Sequence, residues 1–275
     1  MDLATRPPFP VDDALQTIVD ASTTDDAVLD RIRIVLVAPS HPGNVGATAR
    51  AMKVMGLSRL ALVAPRYDDV LTQADALAFA SGAVDVLENA RVHATLDDAL
   101  AGTTHAIAMS AREREFAPPL TTLRAAAVAA IDSARRSSKR SIAFVFGSER
   151  YGLSNEDVLR CQARCRIETS DAYGSLNLAQ AVQLVAYECR IAALAVKSPR
   201  EHDDVAAPAS HEEREALIDH FEQGLLAIGY LDPDAPKKLM PRLRRLFARA
   251  RLEHEEVQWL RGMAKAMLRA KGPGR

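Results

Sequence analysis

This chain of 275 residues has little that would anchor it in a membrane, cross-link it or hold a metal. No run approaches the ~20 consecutive apolar residues of a membrane-spanning helix. The first residues, MDLATRPPFPVDDAL, are acidic and have no apolar signal core, so a cytoplasmic protein is expected. There are three cysteines, Cys161, Cys165 and Cys189. So small and odd a set predicts free thiols in a reducing compartment. Cys161 and Cys165 have no second Cys/His pair to complete a tetrahedral zinc set, and no metal is expected. The first strand is not followed by Gly-x-Gly-x-x-Gly, the usual dinucleotide-binding turn. Nor is there an excess of charge of either sign, since the formal net charge is −1.

That near-zero balance hides segregation. Residues 1–30 hold seven Asp and one Arg, and three prolines before Val11, which predicts a disordered acidic extension. Residues 201–236 carry ten acids against one base, and residues 237–275 twelve Lys/Arg against three Glu. The basic tail is either an electrostatic footprint for nucleic acid or the partner of its acidic neighbour in a self-neutralising pair of helices. Charge alone leaves both open.

With 48% hydrophobic residues the chain can build a substantial core. Short β-rich runs are read as strands at Arg31–Ala38, Leu60–Val63, His105–Met109, Ile142–Phe146 and Cys165–Glu168, with Val84–Val86 and Arg91–Ala94 as weaker candidates. Between them, helices are expected at Asn44–Gly56, Asp69–Ala80, Leu96–Leu100, Leu120–Arg136, Asn155–Cys161 and Leu176–Lys197. Such alternation predicts an α/β domain over 31–197, a parallel sheet flanked by helices. A Pro- and charge-rich linker at 198–210 leads into a helical extension over 211–275, with helices at Glu212–Ile228, Lys237–Arg251 and Glu255–Ala270.

Three stretches begin where an apolar run stops: PGNVGATAR (42–50), FVFGSERYGLSNED (144–157) and YGSLNLAQAV (173–182). Strand ends are where open α/β sheets bind ligands, so three such turns predict one shared pocket. In the first, Gly43 and Gly46 permit close backbone approach, Asn44 is placed to cap the next helix, and Arg50 stands under two turns further on. In the second, Gly147 ends a strand and Gly152 is expected at positive φ. Ser154 and Asp157 form a capping box, and Glu149 either holds the loop or faces a cationic ligand. In the third, Gly174 and Ser175 precede a helix whose first turn holds Asn177. The unsatisfied amides there suit an adenine edge or a carboxylate, and Leu176 offers an apolar face. His41 reads as a polar turn residue, His105 as a core histidine, and Trp259 as packing.

Pro42, Asn44, Gly46 and Arg50, then Gly147, Glu149, Gly152 and Leu153, then Ser175, Leu176 and Asn177 together resemble the motif set of the SpoU–TrmD (SPOUT) superfamily of RNA methyltransferases, SpoU-like branch. The resemblance covers about residues 31–265. It implies a C-terminal trefoil knot in the sheet domain, a homodimer, and S-adenosylmethionine (S-adenosyl-L-methionine) as methyl donor. By position the donor would meet Met109, Ser110, Ala111, Gly147, Ile167, Gly174, Ser175, Leu176 and Asn177. Arg50, Ser175, Asn44 and Glu149 are the implied catalytic set, with Arg50 near the partner's site. The implied reaction is 2′-O-methylation of a cytidine or uridine ribose at position 32 of a tRNA anticodon loop. The tail would supply the tRNA grip through Lys237, Lys238, Arg242, Arg244, Arg245 and Arg249. Two other readings stand beside it: a ribosomal RNA 2′-O-methyltransferase of the same branch, and a non-catalytic RNA-binding protein on this fold. Gly174 lies where relatives carry a second Ser, so only its backbone amide is assigned a role.

Overall fold

The computed structural model describes residues 27–170, 172–195 and 207–270. The acidic head before residue 27 and the linker over 198–206 lie outside the described residues. The sequence reading extends the head to residue 30, but Val28 and Leu29 are buried in the main core.

Seven strands form one sheet in the order β3-β2-β1-β6-β4-β7-β5, and every pairing is parallel. They are β1 (Ile32–Val37), β2 (Arg59–Val63), β3 (Arg91–His93), β4 (His105–Met109), β5 (Leu120–Thr122), β6 (Ile142–Phe146) and β7 (Ala163–Arg166). Side chains alternate across a strand, so each central strand feeds two cores. Ile32, Ile34, Leu36, Ile142, Phe144 and Phe146 face one layer. This layer packs against α1 (Pro42–Val54), α5 (Leu123–Arg136) and α7 (Leu178–Leu194) through Met52, Ile131, Val182 and Val185. The other face is built from smaller residues, Val35, Ala61, Ala106, Ala108, Ala143 and Val145. The short helices α4 (Leu96–Leu100) and α6 (Asn155–Leu159) suffice to cover it, through Leu96, Leu100 and Val158.

Several expectations are corrected. The stretch Val84–Val86 is no strand; it opens helix α3 (Val84–Glu88). Residues Leu120–Thr122 form edge strand β5 on β7, and the helix begins at Leu123 because the Thr122 hydroxyl accepts from Ala125 N–H. The expected helix from Asp69 is only α2 (Ala74–Ala80), since the Asp69 carbonyl and carboxylate are taken up by a turn with Thr72 and Gln73.

The tail folds as α8 (His211–Ala227), α9 (Leu239–Ala250) and α10 (His254–Arg269) around Leu217, Ile218, Phe247 and Val257, with Phe221 edge-on to Phe247 at 5.6 Å. Its first helix is set into the sheet domain. His211 and Arg214 are buried. The Arg214 guanidinium donates to the carbonyls of Thr104 at 3.0 Å and Ala209 at 2.5 Å, and Gly102 N–H donates to Glu212 at 2.8 Å. Asp97 lies between His211, at 3.0 Å, and Arg160, at 2.9 Å. Ala207–Ser210 are thus not a free linker: Pro208 bridges Glu253 and Ala209 is fully buried.

Candidate functional site

The three motifs meet at the carboxyl ends of the central strands. Ser40, between β1 and α1, donates to Glu149 Oε2 twice, from its N–H at 3.0 Å and its hydroxyl at 2.8 Å. Asn44 Nδ2 donates to the other oxygen, Oε1, at 2.8 Å. Asn177 Nδ2 in turn donates to Asn44 Oδ1 at 2.9 Å. One chain of hydrogen bonds therefore runs Ser40–Glu149–Asn44–Asn177 and locks the turns after β1, after β6 and before α7. Burial raises the Glu149 carboxyl, but hydrogen bonds from Asn44, its own backbone and Ser40 outweigh it and hold the group below the usual carboxylate range.

Asn44 does not cap its helix. Pro42 occupies the first helical turn, where its missing N–H costs nothing, and His41 is the N-cap, its Nδ1 accepting from Gly43 N–H at 3.2 Å. The Asn44 side chain is thereby free for the two other motifs. Asn177 does cap α7, with its Oδ1 accepting from Ala179 N–H at 2.9 Å and Gln180 completing a capping box. The second motif follows its sequence reading: Gly152 has φ +67°, and Ser154 and Asp157 form the capping box of α6.

The glycines answer to the protein's own backbone. A Cβ on Gly147 would stand 2.0 Å from the Gly152 carbonyl carbon, and one on Gly46 would stand 2.0 Å from the Ala76 oxygen in α2. Such approaches are what make the turns tight enough to converge.

Several of the residues expected to meet the donor stand at strand ends. Ala108 pairs with Val145 and Met109 with Cys165. Ser110 and Ala111 thus follow the end of β4, Gly147 follows β6 and Ile167 follows β7, and Ser110 N–H donates to the Cys165 carbonyl at 2.9 Å. Gly174, Ser175 and Leu176 form an exposed loop leading to Asn177. Arg50 is one step removed: it is exposed on α1 and lines a groove of about 450 Å³ with Ala47, Val54, Gln180, Gln183 and Leu184.

The basic tail is divided. Arg242, Arg245 and Arg249 are exposed on α9. Arg244 is half-buried and pairs with both oxygens of Glu215 on α8, at 2.8 and 2.7 Å, so its charge is committed within the protein. Lys238 pairs with Glu115, and Lys238 and Arg242 both lie 5.5 Å from the Phe116 ring centroid. Self-neutralisation and an exposed basic face therefore coexist. Lys237 precedes α9 and has φ +50°.

Two residues were missed by the sequence reading. Ser40 is a hydroxyl in a turn beside a motif, a residue type that commonly bonds a neighbouring group. Arg114, in the loop between β4 and β5, donates to Ser110, Leu153 and Asn155; only the alternation Arg112-Glu113-Arg114-Glu115 hinted at it.

The model of the SpoU rRNA Methylase family matches residues 31–187, the stretch that contains all three motifs, and the chain belongs to that family. The model of the tRNA methyltransferase TrmJ C-terminal domain matches residues 212–275. Among similar curated proteins, the tRNA (cytidine/uridine/adenosine-2′-O-)-methyltransferase TrmJ of Pseudomonas aeruginosa is 43% identical over 244 residues, covering 86% of this chain and 93% of its own. The tRNA (cytidine/uridine-2′-O-)-methyltransferase TrmJ of Escherichia coli K12 is 43% identical over 239 residues, with 86% and 94% covered. The crystal structure of TrmJ from Z. mobilis superposes with TM-score 0.73 at 35% identity, covering 86% of this chain and 98% of that one. A probable methyltransferase from Bordetella pertussis gives TM-score 0.58 at 46% identity, over 62% and 99%.

Proposed function

We propose that this protein is an S-adenosylmethionine-dependent tRNA methyltransferase that methylates the ribose 2′-hydroxyl of a cytidine or uridine at position 32 of the anticodon loop. The observation that carries the reading is the Ser40–Glu149–Asn44–Asn177 chain, which joins three distant motifs at the carboxyl ends of the central strands. The names of the TrmJ relatives and the match of the tail to the TrmJ C-terminal domain favour tRNA over ribosomal RNA. The intact hydrogen-bond chain speaks against a binding protein with a dead donor site.

The residues at the crevice suit the donor. The amides of an exposed Gly174–Asn177 loop, the apolar Leu176 and Ile167, and small residues at 110, 111 and 147 match an adenine edge and a thioether better than a phosphate-rich cofactor. When bound, the donor supplies an electrophilic methyl on a sulfonium. The chain's own work is positioning, which is worth about 7–11 kcal/mol in a well-aligned transfer. Asn44 and Asn177 fix the loops, and Glu149 holds the first turn.

Arginine keeps its proton in proteins, so the service of Arg50 is charge and directed donors. In this reading it orients the ribose or the adjacent phosphate and stabilises developing oxyanion character. Its groove carries exposed Val54 and Leu184, and Tyr187 and Ile191, three and seven residues further along α7, are exposed as well. Such an apolar stripe supports a homodimer in which Arg50 serves the partner's site. The insertion of β6 and β4 between β1 and β7 is in keeping with a trefoil knot. We place the enzyme in the cytoplasm, working on tRNA, with no metal and no membrane.

The test is to titrate the protein with S-adenosylmethionine and to map methylated riboses by mass spectrometry in tRNA incubated with both. Donor binding and a methyl on ribose 32 are expected. Modification of ribosomal RNA alone, or no donor binding, refutes the reading. Arg50→Lys and Arg50→Ala separate its role: partial turnover in the lysine variant with an unaltered pH profile supports a charge, and loss of one arm of the profile in both variants supports a base.

A further inference from the structure

The loop after β4 carries two arginines for which a donor site has no evident use. Arg112 is exposed, whereas Arg114 is half-buried and turns inward. Arg114 Nη1 donates to Ser110 Oγ at 2.5 Å, Nη2 to the Leu153 carbonyl at 2.6 Å, and Nε to Asn155 Oδ1 at 2.8 Å. The first acceptor lies at the exit of β4, the second in the turn after β6, and the third at the first residue of α6, which that turn leads into. A planar guanidinium has donors in a fixed fork, so three such bonds set the spacing between those two turns.

All three acceptors are neutral. The acid that favours the Arg114 charge, Asp157, is engaged in the capping box with Ser154. Burial first, and then Arg112 and Arg164, disfavour that charge. An arginine kept cationic among neutral oxygens is there for its geometry. The loop does not depend on it for attachment: the Arg164 guanidinium donates to the Arg112 carbonyl at 2.6 Å and meets Glu113 at 3.2 Å, and Ser110 N–H donates to the Cys165 carbonyl at 2.9 Å.

We propose that Arg114 is a positioning residue of the methyl-donor site, fixing the exit of β4 against the turn after β6 so that Ser110 and Gly147 frame one crevice. The inference rests on the donor-site reading above. Arg114 acts through Ser110 and Leu153. Its removal widens the crevice, while the Arg164 bonds to Arg112 and Glu113 still hold the loop whose Glu115 and Phe116 meet Lys238 and Arg242, so the tail and the RNA face stay in place.

The experiment titrates the full chain and its Arg114→Ala and Arg114→Lys variants with S-adenosylmethionine, and measures tRNA affinity and steady-state kinetics beside it. Arg114→Ala raises the donor Kd and KM about tenfold or more, as loss of hydrogen bonds from a charged group does. The kcat falls less than KM rises, and tRNA affinity is unchanged. Arg114→Lys, with charge but no fork, falls between wild type and alanine. Should Arg114→Ala fail to fold, Asn155→Ala and Ser110→Ala each remove one anchor and raise the donor Kd about threefold. An unchanged donor Kd in whichever of these variants fold, with wild type binding normally, overturns the inference alone. Wild type that binds no donor overturns the site reading and the inference with it.

Discussion

Asn177 Nδ2 donates to Asn44 Oδ1 at 2.9 Å although the two residues are 133 apart in the chain. The amide of Asn44 is used at both ends, since its Nδ2 donates to Glu149. No other side-chain type of that length both accepts from Asn177 and donates to a carboxylate. Asn44→Asp keeps the first bond and sets a second carboxylate against Glu149. Like charges so close cannot both ionise, so one pKa rises. Donor affinity of Asn44→Asp is therefore expected to be poor at pH 8 and to recover as pH falls toward 5. Asn44→Ala loses roughly 1.5–3 kcal/mol, or about ten- to a hundredfold in kcat/KM, without that recovery. Parallel pH profiles for the two variants would count against the shared-amide account.

Much of this arrangement is legible in the residue order and some is not. Gly152 and the Ser154/Asp157 box are local devices and follow from local rules. The partner of Asn44 does not. The nearest helix start offered it an obvious capping role, and His41 with Pro42 took that role by beginning the helix two residues earlier. The same helix passes Gly46 close against Ala76, and such a tertiary contact leaves no trace in the local pattern. The seam between sheet and tail was invisible for the same reason. His211 and Arg214 look like ordinary members of an acidic amphipathic helix, and only the packed structure shows them buried against Asp97 and Thr104.

That seam titrates in two windows. Burial, then Arg214 and Arg251, push His105 from 6.5 down to about 4. The unfolded chain therefore takes up this proton first, and stability falls as pH drops from 6.5 to about 4. The hydrogen bond from His211 is the largest cause holding Asp97 at about 2; burial opposes it and Arg160 adds to it. Its contribution is complete above 3.8 and is lost as pH falls through about 2. Melting curves across pH 8 to 2 should show both steps. His105→Gln is expected to flatten the upper one and Asp97→Asn the lower. Persistence of the upper step in His105→Gln would assign it elsewhere.

Residues on α9 separate by partner. Arg245→Ala and Arg249→Ala remove exposed charges, and each should reduce the slope of log Kd for tRNA against log salt by about 1 while leaving melting unchanged. Arg244→Ala strands Glu215 and should lower the melting temperature, with a smaller change in salt slope. Truncation at 211 is not a clean substitute, because it uncovers the carbonyls of Thr103 and Thr104 and leaves Asp97 without its histidine. Equal salt slopes for wild type, Arg245→Ala and Arg249→Ala would take the RNA contact away from this helix.

Glycines sort by what surrounds them. A methyl on Gly147 meets the Gly152 backbone at 2.0 Å, and relief requires opening the turn that carries Glu149. Gly147→Ala is expected to destabilise by about 1–3 kcal/mol or more and to abolish donor binding. A methyl added to Gly262 in α10 would have nothing within 4 Å, and the residue has no positive φ. There alanine restricts the unfolded chain and suits the helix, so Gly262→Ala should stabilise by about 0.5–1 kcal/mol with donor and tRNA binding untouched. Urea melts and donor titrations of the two variants make the comparison. A Gly147→Ala protein that binds donor normally would show that the tight Gly147–Gly152 approach is not what shapes the crevice.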